Sequence, residues 1–91
     1  MNIFHAIATN HLGSLIFTVQ EDGAEVNSKD AWGNTPLHHA IQYEYLGMVE
    51  YLVQNGADIN AKNDEGETPL DWANHCKDIA KVRYLIEKGA E

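Results

Sequence analysis

The 91 residues carry 14 acidic against 6 basic side chains, a formal charge of −8, with one cysteine. That balance disfavours nucleic acid and anionic membrane surfaces, whose binding needs clustered Lys and Arg, and it suits a protein partner with a basic face. Cys76 alone cannot form an intramolecular disulfide, and no run approaches the roughly 18 apolar residues of a membrane span. With no basic signal segment at the N-terminus the expected setting is the cytoplasm, signal-less secretion of an effector staying open.

Residues 1–29 open directly in a helix. Val19, Gly23, Ala24, Val26 and Asn27 lie 33 positions before Leu52, Gly56, Ala57, Ile59 and Asn60, so this stretch reads as a degenerate first repeat. Residues 30–62 form a full second unit. Asp30-Ala-Trp-Gly33 signals a turn, Thr35 stands as an N-cap and Pro36 at the first helical position. A short helix is predicted at 36–43 and a second at 47–54, where Met48, Val49, Leu52 and Val53 recur at helical spacing. Gly56 then falls where a left-handed C-cap is needed.

Residues 63–91 repeat the pattern. Gly66, Thr68, Pro69, Leu70, Ala73, Val82, Leu85, Gly89 and Ala90 are identical to the residues 33 positions earlier. Helices are predicted at 69–75 and 79–87, with Ile79, Val82, Leu85 and Ile86 as a core face. Equivalent positions become more polar toward this end: Leu15, Met48, Lys81 in the second helix and Ala8, Ile41, Asn74 in the first. The third unit, with Lys77, Lys81, Arg83, Glu87 and Lys88, therefore reads as a solvated cap. On that reading a chain ending at Glu91 is complete, a longer array being the alternative. An all-α solenoid of helix-turn-helix units is the expected fold, with its function on an extended surface.

At Gly33-Asn-Thr-Pro-Leu-His-His-Ala40 and Leu52-Val-Gln-Asn-Gly-Ala-Asp-Ile-Asn60 the chain resembles the ankyrin-repeat family. The resemblance implies β-turn fingers and first helices lining a concave, partner-binding surface. Carried over by position, it nominates Ala31, Trp32 and Asn34 on one finger and Asp64, Glu65 and Glu67 on the next. Thr9, Asn10, Gln42, Tyr43, His75 and Cys76 follow at the ends of first helices, while Ser28, Lys29 and Lys62 lead into the fingers. It also implies that His38 hydrogen-bonds between fingers, and that Asn60 is a candidate acceptor for asparaginyl hydroxylation; the alternative for Asn60 is a loop-holding side chain.

Trp32, beside the turn glycine, should project as an aromatic anchor, unless its ring folds back on its own repeat or on the neighbouring finger. Trp72 instead precedes Ala73 inside a helix and is expected to pack in the core. His38-His39 and His75-Cys76 lack the spacing that brings two ligands to one metal, and nothing pairs Cys76 with a positioned base. Neither a metal, a cofactor nor a catalytic site is expected. The function predicted is a monomeric, non-catalytic protein-binding module. The alternatives are a small acidic inhibitor or immunity protein blocking a basic enzyme site, and a fragment of a longer scaffold.

Overall fold

The computed structural model describes residues 3–8, 12–20, 26–43 and 46–90. Six helices run through these residues in three pairs: α1 (Ile3–Ala8) with α2 (Leu12–Gln20), α3 (Pro36–Gln42) with α4 (Leu46–Gln54), and α5 (Pro69–His75) with α6 (Ile79–Glu87). The first helices stack as α1 on α3 and α3 on α5, and α2 lies beside α4.

The boundaries follow from capping. The Thr35 hydroxyl accepts from the His38 amide at the start of α3, and the Thr68 hydroxyl accepts from the Asp71 amide at the start of α5. In return, His38 Nδ1 accepts from the Thr35 amide at 3.1 Å and Asp71 Oδ2 from the Thr68 amide at 2.9 Å, so both helices open with a reciprocal capping box. Gly56 and Gly89 follow α4 and α6 with φ of 97° and 106°, left-handed angles that let the chain turn away.

One apolar core joins the three units through Ile3, Ile7, Leu15, Leu37, Ile41, Met48, Val49, Leu52, Ala73 and Leu85. Burial falls toward the last unit: Leu37 and Val49 are fully buried, whereas Leu70 and Val82, 33 residues on, are half-buried. The middle unit has a neighbour on both sides, and that difference alone separates otherwise identical residues.

Two expectations for α6 are overturned. Ile79 and Ile86, read as core, are 69% and 55% exposed, while Leu85 carries the buried contact and Val82 half of it. Their counterparts Leu46 and Val53 pack against the core because the middle unit is flanked on both sides; no described element lies beyond α6. Lys81, read as solvated, is only 4% exposed. Its stem fills the place held by Leu15 and Met48, and its ammonium pairs with Asp78, the N-cap of α6. Lys77, Arg83, Glu87 and Lys88 are exposed as expected.

Candidate functional site

Each full repeat projects a turn ahead of its first helix, and one polar side chain builds each turn. Asp30 Oδ1 accepts from the amides of Trp32 and Asn34, both at 2.9 Å. Asn63, its counterpart, uses Oδ1 in the same way for the amides of Glu65 and Glu67 at 2.9 Å. These are Asx turns, in which a side-chain oxygen satisfies amides that the tight backbone leaves unpaired. Gly33 and Gly66 complete them with φ of 78°.

The two fingers are then locked together. The Asp64 amide donates to the Trp32 carbonyl at 3.0 Å. Asn63 Nδ2 donates to Asn34 Oδ1 at 2.9 Å and to Glu67 Oε1 at 3.0 Å, which employs both amide hydrogens. His38, fully buried, reaches from α3 to the Glu67 carbonyl at 2.9 Å, the inter-finger role implied for it. A carbonyl only accepts, so Nε2 carries the proton and Nδ1 is left to accept from the Thr35 amide. Burial, partly opposed by the Glu67 carbonyl, holds His38 below the ordinary imidazole pKa; a proton at Nδ1 would also face the Thr35 N–H.

A carboxylate on the finger side is met by a ring from the first helix in both repeats. His39 Nε2 donates to Asp30 Oδ2 at 2.8 Å. Trp72, 33 residues later, donates its indole N–H to Glu67 Oε1 at 3.2 Å. Burial opposes ionisation of Asp30, yet the bonds from His39 and from the Trp32 and Asn34 amides hold its pKa below the usual range. Glu67 is likewise held below it, by Asn63 first and Trp72 second. Both are carboxylates at neutral pH.

These groups border two adjoining hollows. Trp32, Asn34, Asn63, Asp64, Glu65, Glu67 and Trp72 line one of about 350 Å³. Gln42, Glu67, Asp71, Trp72, His75 and Cys76 line a second of about 480 Å³, so Glu67 and Trp72 belong to both. A single strip thus runs from the finger tips down the ends of α3 and α5.

Five of the nominated residues, Trp32, Asn34, Asp64, Glu65 and Glu67, share the first hollow, and Gln42, His75 and Cys76 border the second. Ala31 and Tyr43 are exposed beside them without lining either. Thr9 and Asn10 lie outside the described residues. Trp32 is 70% exposed, its ring projecting rather than folded back. Trp72 packs against the core as expected, but only half-buried: it lies edge-on to His38 with centroids 5.2 Å apart and also borders both hollows. It, Asn63 and Asp71 line the candidate strip without having been nominated from the sequence.

Elsewhere, Asn60 Nδ2 donates to the Gly89 carbonyl at 3.3 Å, repeating the bond from Asn27 to Gly56 at 3.1 Å, so each Asn ties its loop to the next. Lys29 Nζ reaches the Lys62 carbonyl at 3.3 Å. Among the described residues no three His, Cys, Asp or Glu side chains converge in a way that could hold a metal ion.

A family model described as ankyrin repeats (3 copies) matches residues 3–91. The chain belongs to the ankyrin-repeat family. Its three helix pairs, its capped Thr-Pro starts and the His38 bridge are the family's stacked architecture in this molecule. Ankyrin repeats are generally protein–protein interaction modules, and the family is typically non-catalytic. No curated protein matches the chain.

Proposed function

We propose that this ankyrin-repeat chain is a non-catalytic, monomeric binding module whose protein partner sits on the finger and first-helix strip. The observation that carries this reading is Trp32, a large apolar ring that is mostly exposed on a finger whose backbone is fixed by Asp30, Gly33 and Asp64. A rigid, exposed aromatic loses little freedom on binding and buries a large area, which is why Trp dominates binding hot spots. Asp64, Glu65 and Glu67 set a negative wall beside it, so the partner presents a basic face there. The net charge of −8 supports the same choice and disfavours nucleic acid and anionic membranes.

The test is calorimetric titration of the chain with a partner captured from its native lysate. Trp32→Ala should weaken binding by about 2 kcal/mol or more, as loss of a central aromatic does. Glu65→Lys with Glu67→Lys should weaken it further and slow association. Affinity unchanged in both variants removes the strip as the docking face.

A further inference from the structure

We propose that the hollow between the two fingers receives one arginine side chain of the partner, its guanidinium lying against Trp32 and Trp72 and donating to Glu67. The proposal deepens the reading of the strip as a docking face and rests on it. The observations are the co-lining of one small hollow by two indoles and three acidic side chains, and the state of the Glu67 carboxylate.

Glu67 is held at one oxygen and open at the other. Oε1 accepts from Asn63 and from the Trp72 indole, whereas Oε2 has no hydrogen-bond partner among the described residues. A carboxylate fixed in this way presents an acceptor edge with little entropy left to lose on binding. The hollow's volume of about 350 Å³ lies near the lower end of the roughly 300–1,000 Å³ typical of ligand pockets, a size suited to one side chain rather than a whole cofactor.

The choice of arginine follows from the walls. A guanidinium is planar and weakly hydrated, stacks on indole and meets a carboxylate with a fork of N–H donors, whereas an ammonium is a compact, strongly hydrated point charge. Asp64 and Glu65 add negative charge on the same finger, and Asp71 extends it into the second hollow through the shared Glu67 and Trp72. The other finger offers only Ala31, Trp32 and Asn34 at the matching places, so one wall is mainly aromatic and the other acidic.

The test is NMR titration of the full chain with N-acetylated, C-amidated Gly-Arg-Gly, and with the lysine and citrulline versions of that tripeptide. Both indole N–H signals and the Asp64 and Glu67 amides should shift together and saturate with Gly-Arg-Gly. The lysine peptide should bind several-fold more weakly, and the neutral citrulline peptide, which keeps the shape, at least tenfold more weakly. Glu67→Gln should lose at least tenfold in affinity for Gly-Arg-Gly while its remaining amide signals report an intact fold. Equal binding of arginine and citrulline, undiminished binding by Glu67→Gln, or movement of Trp32 alone overturns the proposal. If that happens while partner binding still depends on Trp32, the arginine assignment falls and the docking face stands.

Discussion

His38 shows how much a single side chain carries. Its ring closes the capping box of α3 through Nδ1, a bond that requires the neutral imidazole, and ties α3 to the next finger through Nε2–H, a bond that either protonation state can make. Its folded pKa is depressed from 6.5, so between that value and the lower folded one the unfolded chain binds more protons. The contribution of His38 is complete above 6.5 and is lost as pH falls through the folded value. His38→Asn keeps a cap like that of Asp71 but drops the bond to Glu67. In urea melts it should be about 1–3 kcal/mol less stable than the native chain at pH 7.5. The gap should narrow as the pH is lowered toward 5; a constant gap would show that His38 does not titrate differently in the two states.

Gly33 and Gly66 share one backbone angle but not one environment. A Cβ on Gly33 would sit 2.8 Å from the Asp64 amide nitrogen, while one on Gly66 would meet nothing within 4 Å. Gly66→Ala should therefore cost only the left-handed penalty, about 1–2 kcal/mol, and Gly33→Ala distinctly more because the fingers must part. Equal losses in denaturant melts would mean that the fingers do not touch as described. The turn glycines were legible from the sequence because a turn demands them locally. The inequality between them was not, since it comes from the neighbouring finger.

At the scale of the element, the caps and helix lengths were readable because Thr, Pro and Gly act within a few residues of themselves. Second-helix faces were read less well at the end of the stack. Helical spacing says which residues share a face but not whether anything lies opposite, so Ile79 and Ile86 were mistaken for core. Lys81 was mistaken for surface because a charged residue type hides its four-carbon stem. Its energetic role is open to measurement. A partly buried ion pair repays little of its desolvation, so Lys81→Met should lie within about 1 kcal/mol of the native chain or be more stable, while Lys81→Ala leaves a cavity and should lose about 2 kcal/mol or more. A large loss in Lys81→Met would instead assign the stability to the pair with Asp78.

Across the whole molecule, the fold was legible, because a repeat turns one supersecondary unit into a surface by translation, and most of the nominated finger residues come together in the candidate strip. The detailed membership of the site was not legible. Trp72 sits where the repeat pattern buries side chains; it packs edge-on against His38 of the preceding unit, and its indole N–H still reaches Glu67, five residues back. Asn63 looked like a turn residue, yet it also fastens Asn34 to Glu67. Stacking of the repeats makes the acidic finger and the aromatic finger adjacent, so association with a basic partner should slow several-fold as salt rises from 50 to 300 mM, with a smaller change in dissociation. Stopped-flow rates independent of salt would show that the acidic wall does not steer encounter.

The central claim is that a partner occupies the finger strip, and hydrogen exchange of the chain with and without its bound partner tests it most directly. Slowed exchange should be confined to the finger amides at 30–34 and 63–67 and the adjoining ends of α3 and α5, with α4 and α6 unchanged. Protection confined to α4 and α6 instead would place the partner on the second helices and contradict the account.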